Sequence, residues 1–429
     1  MKELPKILPA GTGEKTQYLV HDSNDNTIRF ALYYPGRLRP DILKDAAAAI
    51  INSVDVLHAS FIPGALGAYW HVNHDFTEED FFSFVRTDDN LTENVCQAAV
   101  RRILPSGKTQ LHCTLIQDSE KSAVVLNLSH LCVDGGDGKY LLYKLAEAYE
   151  LIAKTGTSNG LEVKNGSRNA FQVYEELAPK DYLSIIKPSL SKVKTVFPFP
   201  NEESGQPRLV MHSISSSVMN AARKKAKQLN ATVNDILLTA SYRAYACLAG
   251  TNEEALSIMS MMDLRRHCKN GESEGLCNMS GCMPTTLEHG VQGDFEQTLM
   301  EISAQTQQAK ENPLGGLEGL PLIHTAVKTT PLWLLLKVAD LVYGSMSIGL
   351  TNLGNLPCEP LTMDGLRPTH GLFGGPLKKK PAMQISAASF DGTAALCCAS
   401  ECNEEDQKLL EKMLAMIEQE IRLFASEEI

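Results

Sequence analysis

No stretch of this 429-residue chain is apolar for long enough to cross a bilayer. The greasiest, PLWLLLKVADLVYGSMSIGL from Pro331 to Leu350, is interrupted by Lys337 and Asp340 and reads as a buried or amphipathic helix, so no membrane span is expected. The opening MKELPKILPAGTGEK has no apolar segment of the secretory kind, which gives the expectation of a cytoplasmic protein. A basic excess is missing too. Lys and Arg number 40 against 51 Asp and Glu, a net charge of −11, so a nucleic-acid partner, which needs a phosphate-neutralising field, is not expected. Basic spots at Arg223-Lys224-Lys225-Lys227 and Lys378-Lys379-Lys380 read as solvated surface charge. The 11 cysteines are odd in number and show no paired C-x-x-C, which argues for free thiols and against a disulfide framework or a structural zinc. His71-x-x-His74 lacks the spacing and the glutamate of a zinc-protease helix, and no metal is expected. Common cofactor signatures are absent as well. PSGKT at 105–109 has Arg102 where a phosphate loop needs its first glycine, and no G-x-G-x-x-G follows a strand. DGGDG carries Leu145 where a calcium loop needs glutamate.

What remains is a globular composition, 43% hydrophobic and 21% charged, of a length that suggests two domains. Apolar residues at the helical period, among them Ile42, Leu43, Ala46, Ala47, Ile50 and Ile51, predict a helix from Asp41 to about Val54. SVDVLHASFI and AYWHVN have strand content. QLHCTLIQ, the turn DSEK and SAVVLNLSH form a hairpin, and a helix with Leu142, Leu145, Ala146, Tyr149 and Ile152 on one face follows. Residues 177–207 turn irregular and proline-bearing, and are read as a linker. Beyond it come a strand near Leu209–Ile214, a basic helix Val218–Leu229 and a helix capped by Thr232 with Asp235. A hairpin turning on Asp391-Gly392 and a last helix capped by Asn403 complete the chain. The expected organisation is mixed α/β, with an N-terminal unit at 1–180, a linker at 181–207 and a C-terminal unit at 208–429.

One loop concentrates chemistry. NLSHLCVDGGDG at 127–138 sets a histidine at the end of an aliphatic strand, an aspartate four residues on, and glycines before a helix. Neutral imidazole is the side chain best matched to taking a proton near neutral pH. His130 is therefore the candidate base, and the strand end would hold its ring toward a cleft. Asp134 either orients that ring or turns away to pin the loop through a basic partner. Gly135 and Gly136 are expected to supply positive-φ backbone for a sharp turn. His112, on the neighbouring strand, has no loop or carboxylate organised around it and reads as packing. Cys132 reads as a small buried residue, since no basic neighbour is evident to activate it.

The segment resembles the H-x-x-x-D-G motif of the coenzyme-A-dependent acyltransferase superfamily, which includes chloramphenicol-acetyltransferase-like enzymes, alcohol acyltransferases, polyketide-associated acyltransferases and peptide-synthetase condensation domains. Three further segments resemble that group in its order: ATVNDILLTASYRAYA at 231–246, MDLRRHC at 262–268 and TNLGNL at 351–356. The similarity spans nearly the whole chain. It implies two chloramphenicol-acetyltransferase-like subdomains with a tunnel between them, and direct transfer of an acyl group from a thioester to an alcohol or amine. His130 would be the catalytic base, and Asp134 would be salt-bridged to Arg265, with Gly135 supporting the loop. Asn352, Ser280 and Asn278 are candidates for oxyanion or substrate contacts. No permanently bound cofactor is implied. The co-substrate would be an acyl-CoA or an acyl-carrier-protein thioester, the acceptor a small molecule, and the protein a monomer or weak dimer. Two departures narrow the resemblance. Ser129 stands where condensation domains usually have a second histidine, which favours simpler acyltransferases, and the D-F-G-W-G element of the plant-type branch is missing. A non-catalytic module that keeps the fold and binds a carrier protein or metabolite is the alternative.

Overall fold

The computed structural model describes residues 6–426 except 65–66, 89, 189–190, 192, 202, 204 and 344–347. Its strands form three sheets. The smallest pairs β1 (Ile7–Pro9), β4 (Ala68–Val72) and β3 (Ala59–Pro63) in that order. A five-stranded sheet runs β12-β2-β7-β6-β5, built from β2 (Thr27–Tyr34), β5 (Phe82–Arg86), β6 (Leu111–Gln117), β7 (Ser122–Ser129) and β12 (His370–Gly374). A six-stranded sheet runs β10-β9-β11-β13-β14-β8. Its strands are β8 (Gln206–Ile214), β9 (Leu256–Asp263), β10 (Ser280–Leu287), β11 (Ile348–Leu356), β13 (Met383–Phe390) and β14 (Thr393–Cys402). The fold is thus mixed α/β, with parallel pairs (β5–β6, β9–β11, β11–β13) set among antiparallel ones.

Every residue of β2 and β7 is buried, which explains why their sequences run aliphatic on both faces instead of alternating. One face packs Phe30, Leu32, Leu126 and Leu128 against the Pro40–Ser53 and Gly135–Thr155 helices. On the other, Ala31, Val125 and Ile116 meet Val95 of the Leu91–Ala99 helix, together with Leu209, Cys397 and Ala399 from the six-stranded sheet. The two large sheets therefore share a core. The six-stranded sheet lays its opposite face on the Val233–Ala249 and Glu404–Ser426 helices, through Leu350, Ile385, Leu396, Ile236, Leu414 and Ile417.

Local signals worked where a side chain decides the backbone. The Thr232–Asp235 capping box forms and Gly250 ends that helix at φ 68°. Asp391 and Gly392 turn the β13–β14 hairpin at φ 48° and 89°, and Asn403 Oδ1 accepts the Asp406 N–H at 2.9 Å. Two expectations need correction, and one strand was not foreseen. Asp55–His58 is a 3₁₀ turn, and only Ala59–Pro63 of the first strand-like segment is extended. Pro179–Ser184, at the start of the irregular stretch, is a short helix with proline at its first position. His370–Gly374, late in the chain, joins the early sheet as the antiparallel neighbour of β2. Among the described residues no helix, the Leu332–Tyr343 helix included, is long and apolar enough to cross a membrane.

Candidate active site

Strand β7 delivers His130 one residue beyond its last hydrogen-bonded position, where the ring is half-buried. The His130 N–H donates to the Asn26 carbonyl at 2.7 Å, which ties the strand end to the loop preceding β2. Within the ring, Nδ1 lies 2.8 Å from the Val133 carbonyl. A carbonyl can only accept, so Nδ1 carries the proton and Nε2 keeps the lone pair. Asn278 Nδ2 sits 3.3 Å from the same Nδ1, but its amide is oriented by Oδ1, which accepts the Ser280 N–H at 3.0 Å. Two donors thus face each other, and the Asn278 amide hydrogens stay available to another acceptor. Nε2 has no hydrogen-bond partner among the described residues. Burial lowers the imidazole pKa below its ordinary 6.5; the Val133 carbonyl and Asp134 oppose this, and the charge of Lys378 adds to it. The ring is therefore neutral at neutral pH.

Asp134 turns away from the ring. It caps the Gly135–Thr155 helix, with Oδ1 accepting the Asp137 N–H at 2.9 Å. The same carboxylate takes the Arg265 fork, Nη1 to Oδ2 at 2.8 Å and Nη2 to Oδ1 at 3.1 Å. Oδ2 also accepts the Met279 N–H at 2.7 Å. Burial alone would raise the Asp134 pKa, but Arg265 and these N–H donors hold it below the usual carboxylate value. One turn along, Asp137 accepts the Cys277 N–H at 2.7 Å and lies 3.1 Å from Arg265 Nη2, and it pairs with Lys164. The histidine loop is thus fastened to the segment that enters β10.

The glycines do something other than expected. Neither Gly135 nor Gly136 has a positive φ; both lie in the first turn of the helix. Their requirement is space. A Cβ on Gly135 would lie 3.2 Å from Leu353 Cδ1, one on Gly136 would lie 3.0 Å from Arg265 Nη1, and one on Gly138 would lie 2.7 Å from Phe30 Cε2. The helix start is pressed against both sheets.

Of the remaining candidates, Ser280 is half-buried at the head of β10, beside Asn278. Both line a cavity of about 60 Å³ with Met279, Gln17, Leu320 and Ile323. Asn352 turns its Oδ1 to its own strand, accepting the Gly354 N–H at 3.0 Å at a bulge where Gly354 has φ 75°. Its neighbour Leu353 is the residue that reaches Gly135. His112 is buried on β6, 3.2 Å from Ser83 Oγ, and burial with the charge of Arg101 pushes its pKa down to about 3. Cys132 is buried, and burial raises its thiol pKa. No group of metal-ligating side chains occurs among the described residues.

Sequence reading missed Asp137, Lys164 and the Met279 N–H, which complete the mooring of the loop. It also missed Lys378 and Cys282. Cys282 lies on the same face of β10 as Ser280 and is exposed, yet its thiol pKa is raised chiefly by burial. Lys378 is half-buried, with its pKa lowered by burial, and its charge acts on both Cys282 and His130.

No protein-family model and no curated protein matches the sequence. Solved structures do. Polyketide synthase associated protein 5 from Mycobacterium tuberculosis superposes with a TM-score of 0.66 at 16% identity, over 96% of this chain and 98% of that one. TRI3 trichothecene 15-O-acetyltransferase from Fusarium sporotrichioides gives 0.68 at 13%, over 96% and 95%. The first condensation domain of the CDA synthetase gives 0.67 at 11%, over 99% and 98%. The chain has the fold shared by condensation domains and these acyltransferases. At such identities the likeness establishes architecture, and the chemistry must be argued from this chain's own residues.

Proposed function

We propose that the protein is an acyltransferase, moving an acyl group from a thioester of coenzyme A or of an acyl carrier protein to an alcohol or amine. The observation that carries this reading is the histidine. Its Nδ1–H is committed to the Val133 carbonyl, so Nε2 is left as an unpartnered base on a half-buried ring. Nε2 would take the proton of the attacking hydroxyl or amine as that group adds to the thioester carbonyl. Collapse of the tetrahedral species breaks the carbon–sulfur bond, and the imidazolium returns its proton to the departing thiolate. No covalent enzyme intermediate is needed. Base catalysis of this kind contributes about 10²–10⁴-fold, and fixed approach of the two reactants supplies much of the rest.

In this scheme Asp134 and Arg265 are positioning residues, since their charges are spent on each other and on backbone N–H groups. The Asn278 amide, 3.3 Å from the ring, and the Ser280 hydroxyl, on the same cavity as Asn278, are donors that could meet the oxyanion. In this scheme a passage between the two large sheets would bring donor and acceptor to His130. The O-acetyltransferase among the structural neighbours supports an alcohol as acceptor. Ser129 before His130 favours simple acyl transfer over peptide-bond formation.

The test is turnover of a panel of acyl-CoA thioesters and loaded carrier protein with mixed alcohols and amines, read as acylated product by mass spectrometry. Product readout is preferable to thiol release because Cys247 and Cys282 are exposed and would react with thiol reagents. Product that depends on His130 supports the proposal. No product from any donor, together with tight carrier-protein binding, would favour a non-catalytic module.

A further inference from the structure

The Leu320–Thr329 and Leu332–Tyr343 helices form a hairpin joined at Thr330-Pro331. Its inner face is anchored: Pro321, His324, Val327 and Leu332 are buried, and His324 Nδ1 lies 3.1 Å from Tyr174 Oη. Its outer face is unlike an ordinary solvated helix face. Leu322 and Trp333 are 52% and 55% exposed, and Ile323 and Leu334 are exposed beside them. The patch continues onto the end of the Pro179–Ser184 helix, where Leu183 and Ile186 are exposed and the Ile185 carbonyl accepts the Gly319 N–H at 2.7 Å. Contiguous exposed apolar surface of this kind marks an interaction site.

Charge says what kind of surface it meets. The chain carries 51 acidic residues, yet the two helices contain only one, Asp340 near the end of the second, while Lys328 and Lys337 are both present and exposed. Lys337 Nζ stands 5.7 Å from the centroid of the Trp333 ring. A tryptophan with a lysine at its rim and leucines beside it is the composition of a helix that lies in a lipid–water interface. We infer that this hairpin seats the protein on an anionic bilayer, with Leu322, Ile323, Trp333 and Leu334 among the acyl chains and Lys328 and Lys337 at the phosphate level. The seating has a consequence for the site. Leu320 and Ile323 also line the cavity that holds Asn278 and Ser280, so a seated protein opens that cavity next to the lipid and favours amphiphilic substrates. The anchoring itself stands independently of the catalytic role proposed for His130.

The sequence supplies its own reporter. There are two tryptophans, and Trp70 is fully buried with Nε1 bonded to Glu14 at 3.0 Å, so only Trp333 can respond to lipid. The experiment is co-sedimentation and tryptophan emission of the full chain with phosphatidylcholine vesicles, with and without about one quarter phosphatidylglycerol. Sedimentation with the anionic vesicles and a blue shift are expected. Trp333→Phe should keep the binding and lose the shift. Leu322→Ser with Leu334→Ser should weaken partition at least about tenfold, and Lys328→Glu with Lys337→Glu about as much. Absence of sedimentation with the anionic vesicles overturns the inference. So does a dimer that Leu334→Glu dissolves, because the patch would then be a contact between copies. Capture of an acidic carrier protein through the same residues, without vesicle binding, overturns it too.

Discussion

Arg265 grips Asp134 with both prongs of its guanidinium, at 2.8 and 3.1 Å, across 131 residues of chain. The pair joins the histidine loop, at the end of one sheet, to the 3₁₀ turn that leaves β9 in the other. Both partners are buried, so removing either leaves a charge without its counter-ion. We expect Arg265→Ala or Asp134→Ala to cost about 3–5 kcal/mol and to lower soluble yield. Arg265→Lys should recover little, because a point ammonium cannot reproduce the two-pronged contact. Denaturant midpoints of the three variants check this, and wild-type stability in Arg265→Ala would refute it.

The helix after the loop begins in contact with both sheets, and Gly138 is where that contact is closest. A methyl there would lie 2.7 Å from Phe30 Cε2, inside a fully buried core. Although alanine is the better helix former, Gly138→Ala should destabilise by about 1–3 kcal/mol, since overpacking outweighs propensity. A melting temperature at or above wild type would contradict this.

Chain order carried much of the site. The Asp134–Arg265 pair was legible because each partner stands in a segment of recognisable type and the segments come in a fixed order. The caps at Thr232 and Asn403 were legible because one side chain and one N–H make them. What failed depended on neighbours distant in sequence. Gly135 and Gly136 were read as a turn needing positive φ, whereas Leu353 and Arg265, far along the chain, are what exclude a side chain there. Lys164, Lys378 and the Asn26 carbonyl have no local pattern at all; only folding brings them to the loop. Strand HGLFG at 370–374 was missed because two glycines in five residues weaken strand propensity, and pairing with β2 is what extends it.

The acid limb of activity should follow the imidazole. Burial depresses the His130 pKa, so the base stays deprotonated to a lower pH than a free histidine would. Plotted against pH, kcat/KM should therefore be flat through neutrality and fall only as pH drops well below 6.5, with its inflection on the acid side of that value. An inflection above it would mean that the ring is stabilised as a cation, contrary to its surroundings.

Asn278, beside the ring, and Ser280, two residues on, should act on the rate more than on the fold. Ser280→Ala and Asn278→Ala each remove a donor near the reacting centre, and a loss of about 10²-fold in kcat is expected for whichever meets the oxyanion. Both side chains are half-buried at the cavity, so melting temperatures should move little. Unchanged kcat in both variants would move the oxyanion contact elsewhere, with the Asn352 region the next to examine.

The most direct measurement is product formation by His130→Ala, set beside its thermal melt. The side chain is half-buried and its one ring hydrogen bond is to a carbonyl within its own loop, so the variant should fold and melt close to wild type. The account expects acyl transfer to fall by about 10²-fold or more while that melt holds. Undiminished transfer in the folded variant would contradict it.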